Sequence, residues 1–125
     1  MKTHEDIEAY LARSGLHFQG LDAETWLVRI EEGVNPVIVH IHGPVVVARA
    51  DVGPAPKTNR EAVFAGMLRE NADALMHCSY GLSGDKVILS GAMPLENLDY
   101  NEFVSTLDDM ALALGRGVPD AGRKA

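Results

Sequence analysis

Apolar and polar positions change period several times along the chain, and each change marks an element. The densest stretch runs from Asn35 to Asp51, NPVIVHIHGPVVVARAD, where two β-branched apolar runs, Val37–Ile41 and Val45–Ala50, are broken by His42-Gly43-Pro44. Valine and isoleucine pack well on a pleated surface, and Gly-Pro does not continue a strand. The pattern therefore predicts two strands and a tight connection. Both runs are apolar on both faces, unlike an antiparallel strand with one wet face. They predict a sheet centre covered on both sides, or a sheet covered on one side and sticky on the other.

The flanking segments follow from the same logic. Thr3 is placed to cap a first helix, with Glu5 and Asp6 in its first turn, Ile7, Tyr10 and Leu11 as its apolar stripe, and Gly15 as its stop. Leu16–Gly20 reads as an extended lead-in or first strand segment. Thr25–Ile30 reads as a clear strand, with Trp26, Val28 and Ile30 on one face and Leu27 and Arg29 on the other. Gly53-Pro54-Ala55-Pro56 breaks regular structure, and Thr58-Asn59-Arg60-Glu61 has the form of a capping box opening a helix to about Asn71. Leu75–Tyr80 and Lys86–Ala92 read as strands around the glycine-rich loop Gly81–Asp85. Asp99 caps a last helix carrying Phe103, Val104, Leu107, Met110, Ala111 and Leu114 at helical spacing, and Gly115 ends it.

The expected order is helix, three strands, helix, two strands, helix: an α+β layout with one antiparallel five-stranded sheet and helices packed on it. The expected domain covers residues 1–115, followed by a flexible C-terminal tail at 116–125. Strand parity then sorts side chains into two sets. Trp26, Val28, Ile30, Val37, Val39, Ile41, Val46, Ala48, Ala50, Met76, Cys78, Tyr80, Val87 and Leu89 form an apolar set assigned to the core. Leu27, Arg29, Ile38, His40, His42, Val45, Val47, Arg49, Leu75, His77, Ser79, Lys86, Ile88 and Ser90 mix aliphatics with cations and imidazoles and hold no carboxylate. That second set reads either as an exposed face whose long cationic stems lie over aliphatics, or as an interaction surface.

Composition narrows the classes. A net charge of -7 argues against a nucleic-acid binder, because phosphate contacts need clustered Lys and Arg. No apolar run approaches the roughly 18 residues of a membrane span. The acidic, amphipathic start MKTHEDIEAY is not a secretory signal, and a lone cysteine excludes an internal disulfide, so the cytoplasm is the expected compartment.

Candidate chemistry is thin. His40-x-His42 puts two imidazoles on one strand face, with His77 a possible third, but no carboxylate joins them at strand spacing, so no metal is assigned. Cys78 and His77 point to opposite faces and make a poor nucleophile pair; Cys78 reads as a small core hydrophobe. Gly81-x-x-Gly84 lacks the Lys-Ser/Thr and the helix start of a phosphate loop. Asp108-Asp109 reads as a solvated helix face, and Met67, Met76 and Met93 as core filler. No acid, base and nucleophile converge, so no catalytic residue and no cofactor is expected.

The C-terminal third carries a resemblance. Met93-Pro94-Leu95-Glu96-Asn97-Leu98-Asp99-Tyr100-Asn101-Glu102-Phe103, followed by the Val104–Leu114 helix, resembles the ending of the type III secretion chaperone (Tir chaperone) family and the related YbjN-like proteins, with Met93 in place of the usual first leucine of their LPLENL-like link. The element order matches along nearly the whole chain. The resemblance implies a non-enzymatic, cytoplasmic homodimer that holds a segment of a partner protein by β-augmentation and side-chain pockets. A YbjN-like regulatory or signalling protein using the same scaffold is the alternative. Ile38, Val45, Val47 and Ile88 are the expected apolar contacts, with Arg29, Arg49 and Lys86 facing an acidic stretch. Phe64, Met67, Leu75 and His77 fall in the segments that the resemblance places at the dimer interface.

Overall fold

The structure, a computed structural model, describes residues 2–117. Its elements are α1 (His4–Ser14), β1 (His17–Asp22), β2 (Thr25–Arg29), β3 (Val37–His42), β4 (Val45–Pro54), α2 (Arg60–Asp73), β5 (Ser79–Ser83), β6 (Lys86–Pro94) and α3 (Tyr100–Arg116). The sheet is antiparallel, in the order β1-β2-β3-β4-β6-β5. It has six strands where the sequence predicts five. The added strand is β1, from the segment read as a lead-in. Only Phe18 of its residues is even partly buried, so an edge strand of this kind shows almost no hydrophobic alternation.

A second difference lies at Leu75–Tyr80, which is not one strand. Residues 75–78 form a bend, and pairing starts only at Ser79. The Asp109 carboxylate of α3 accepts the backbone N–H groups of Met76 and His77 at 3.0 and 2.8 Å and the Cys78 Sγ–H at 3.3 Å. Those donors serve a side chain rather than a ladder, and parity fails with them: Leu75 is buried, whereas Met76 is 84% exposed instead of facing the core. The bend presses on Gly91, where an added Cβ would lie 2.6 Å from the His77 carbonyl oxygen. The hairpin turn therefore falls at Gly84-Asp85, with Gly84 at φ +59°.

All three helices lie over one face of the sheet. Ile7 and Leu11 of α1, Val63 and Met67 of α2, and Phe103, Leu107, Met110 and Ala113 of α3 join a single buried cluster with Trp26, Val28, Val37, Val39, Ile41, Val46, Ala48, Ala50, Val87 and Leu89. The Tyr10 hydroxyl donates to the Leu98 carbonyl at 2.7 Å and its ring meets Tyr100 and Phe103, locking α1 to the start of α3.

Two of the expected caps form. Thr3 and Asp6 make a capping box, and Asp99 accepts the Glu102 N–H at 2.7 Å. The Thr58–Glu61 box does not, because Asn59 takes the cap position in a left-handed conformation, φ 54°, with no side-chain cap bond. Arg116 closes α3 and Gly117 caps it; the rest of the expected tail lies outside the described residues.

Candidate functional site

The uncovered face of the sheet is built by default. The core set turns inward at alternate positions, so the intervening side chains turn away from the helices. Cross-strand register arranges them in rows. Leu27, Ile38, Arg49 and Ser90 lie opposite one another across β2, β3, β4 and β6. The next row is Thr25, His40, Val47 and Ala92, followed by His42, Val45 and Pro94. Ile38, Val45 and Val47 are half-buried.

Between β3 and β4 this face is concave, a trough of about 610 Å³. Ile38 and Val47 form its middle, His40 and His42 one end, and Arg49, Asp51, Asn35 and Pro36 the other. The Asn35 side-chain amide donates to the Asp51 carbonyl at 2.7 Å, tying the β2–β3 connection to β4. Parity read as far as Arg49 puts no carboxylate on this face; the structure lines the trough with Asp51 and sets Asp22 outside the lining, on edge strand β1. Asp51 lies across from Ile88 and 3.7 Å from the Lys86 ammonium. Asp22 lies across from Thr25. The Glu24 N–H, at 2.8 Å, and then the Thr25 hydroxyl hold the Asp22 carboxyl below the usual carboxylate range.

The other expected contact residues are spread more widely. Arg29 is exposed at the end of β2, opposite His17 of β1. Ile88 is 9% exposed and does not belong to the helix-covered cluster; it lies between Asp51 and Gly81 on the uncovered side. Of the residues expected at a dimer contact, Met67 and Leu75 place their side chains in the protein's own core, at 5% and 7% exposure. Phe64 is half-buried beneath the Arg60 guanidinium, and His77 is exposed. Sequence reasoning passed over two neighbours that are far more open, Leu68 and Met76.

The His40 and His42 rings sit 6.1 Å apart, His77 is drawn to α3 instead, and among the described residues no three His, Cys, Asp or Glu side chains converge to hold a metal ion. Burial first, then the Asp109 hydrogen bond, pushes the Cys78 thiol far up, away from the thiolate a nucleophile needs. Among the described residues no helix is long and apolar enough to cross a membrane.

The fold has counterparts among known proteins. The family model CesT_Tir_1 matches residues 1–121. The chain belongs to the CesT_Tir_1 family of type III secretion chaperones. No curated protein matches this CesT_Tir_1 chain. Solved structures share its fold at low identity. One is the ExoU–SpcU heterodimeric complex from the type III secretion system of Pseudomonas aeruginosa, with a TM-score of 0.72 and 14% identity over 88% of this chain and 93% of that chain. The type III secretion chaperone SycH of Yersinia pestis, in complex with a fragment of YscM2, has a TM-score of 0.68 and 15% identity over 91% and 98%. YbjN of E. coli, a putative transcription regulator, has a TM-score of 0.64 and 12% identity over 93% and 95%.

Proposed function

We propose that this CesT_Tir_1 protein is a non-enzymatic, cytoplasmic chaperone that holds a segment of a partner protein against the uncovered sheet face. The observation that carries the reading is the β3–β4 trough, in which half-buried Ile38 and Val47 lie beside the exposed cation Arg49 and, among the described residues, stand outside the cluster that the helices cover. Ile38, Val45, Val47 and Ile88 supply apolar contact, and Arg29, Arg49 and Lys86 supply positive charge on a chain of net charge -7. The fold-sharing SpcU and SycH structures are complexes with other proteins, which supports a protein occupant here.

The protein acts as a homodimer in this reading. Phe64 and His77 belong to its contact, with exposed Leu68 and Met76 beside them in the chain, while Met67 and Leu75 back that surface from the core. Light scattering on the purified protein reads the dimer, and a monomer at working concentration removes it. The partner is tested by capture from the native host with wild-type protein and Val47→Asp in parallel. A secretion substrate retained by wild type and lost by the variant is the expected result. A transcription or signalling component retained instead favours the regulatory reading that likeness to YbjN suggests. A captured set indifferent to Val47→Asp removes the face.

A further inference from the structure

The outward side of α3 carries a second hollow that shares no lining residue with the trough. It measures about 580 Å³ and is lined by Glu31, Asp108, Ala111, Leu112, Gly115 and Arg116. Asp108, Ala111, Leu112 and Gly115 fall at i, i+3, i+4 and i+7, so they form one stripe along the helix. That stripe lies away from Phe103, Leu107, Met110 and Ala113, which face the core, and it leaves Leu112 64% exposed.

Two carboxylates mark the ends of the stripe. Asp108 stands at one end. Glu31, from the connection after β2, reaches the other: a Cβ added at Gly115 would lie 3.3 Å from Glu31 Oε2. Glycine at this helical position therefore makes room for the carboxylate. Both acids are exposed, and neither forms an ion pair among the described residues. Arg116, the cation on this rim, is engaged by buried Glu70 at 3.6 Å. An apolar floor, Ala111 and Leu112, thus lies between two acids, on a chain of net charge -7.

The spacing of the acids chooses the form of the occupant. Gly115 follows Asp108 by seven residues, about 10.5 Å along the axis. A helix laid beside α3 presents residues seven apart on one face at that same separation. An extended segment covers the distance in about three residues, which puts the two side chains on opposite faces. We infer that the outward stripe of α3 binds a basic amphipathic helix of another protein, with Lys or Arg seven residues apart set against Asp108 and Glu31, and an aliphatic residue between them seated on Ala111 and Leu112. Long basic side chains suit the site, because their stems cover Leu112 while their heads reach the carboxylates. The stripe is separate from the trough, so one chain has room for both occupants.

The test is selection of a phage-displayed library, an alanine-based helix randomised along one face, on the wild-type protein at low salt. The expected winners carry Lys or Arg seven apart with an aliphatic residue between them. For a synthetic winner, Glu31→Gln with Asp108→Asn weakens binding about tenfold, and so does Leu112→Ser. Glu8→Gln with Glu96→Gln removes equal charge from exposed positions elsewhere and changes binding by within about twofold. Equal weakening by the two charge pairs, or basic winners with no fixed spacing, means general attraction to an acidic chain and overturns the inference. Winners lost on Val47→Asp but not on Leu112→Ser occupy the trough and overturn it, as does no enrichment over bare support. Self-association in light scattering that Glu31→Gln with Asp108→Asn abolishes assigns the stripe to a second copy and overturns it too. None of these outcomes removes the trough, whose own test is capture with Val47→Asp.

Discussion

The two sides of the central strands are made of the same material and have different fates. Val37 and Val39 of β3 are wholly buried, while Ile38 between them is half-exposed; Val46 is wholly buried, while Val45 and Val47 are not. β-Branched residues thus stand on both sides, and only the helices above distinguish them. Fully burying such a side chain contributes about 1.5–3 kcal/mol, so the covered side holds the fold together. The uncovered side gains only part of that, and the remaining apolar area is available to a second molecule. Sheet composition is therefore a poor guide to function, and what lies over each face is a good one.

Two substitutions break this comparison if it is mistaken. Trp26→Ala empties the centre of the covered side and is expected to cost about 3–5 kcal/mol. Val47→Thr keeps the strand geometry on the other side and is expected to cost less than about 1 kcal/mol. Urea unfolding of both variants reads the contrast directly. Equal losses would mean that the trough residues also belong to the core.

The seam between the layers is of intermediate weight. One Asp109 carboxylate fixes the bend at residues 76–78 under α3, so Asp109→Ala leaves backbone donors without their partner and is expected to cost about 1–3 kcal/mol. The same variant unseals Cys78, whose thiol is held protonated by burial and by Asp109. Reaction with a thiol reagent is expected to be slow in the folded wild type and faster in Asp109→Ala. Unchanged reactivity would show that burial alone protects the thiol.

That seam is also where the sequence was least legible. The strands from Thr25 to Ala50 and the three helices follow from period and punctuation, because each buries one face continuously. Leu75–Tyr80 has strand composition, yet its backbone donors are claimed by Asp109 of α3, distant in sequence and read as a solvated position. β1 was hidden for the opposite reason: an edge strand with little to bury has no pattern to read. The trough was legible as a set, since parity alone put Ile38, Val47 and Arg49 together. Its charge balance was not, because Asp51, which shares the parity of Val47 and Arg49, lies at the bulged end of β4, and Asp22 belongs to the edge strand β1, which has no pattern to read. In α2, Val63, Met67 and Glu70 form the inward stripe at helical spacing, which turns Leu68 outward despite its apolar character.

The smallest expected effect separates the two layers by titration. Asp6 on the helical side is held below the usual carboxylate range chiefly by the Thr3 N–H at 2.8 Å, and Asp22 on the uncovered side by the Glu24 N–H. A lowered folded-state value means that the charged form is favoured by folding. The stabilisation is then present above the ordinary carboxylate range and is lost as pH falls through the lowered values. Both groups are exposed, so the acid limb of stability changes only slightly in Asp6→Asn or Asp22→Asn. Site-resolved NMR is the sharper reading: both carboxyls are expected to titrate below the ordinary range in the free protein. Saturation with a trough-binding peptide is expected to move the Asp22 titration, through Thr25 and His40, and to leave Asp6 where it was. A peptide that moved Asp6 instead would place the occupied surface on the helical side.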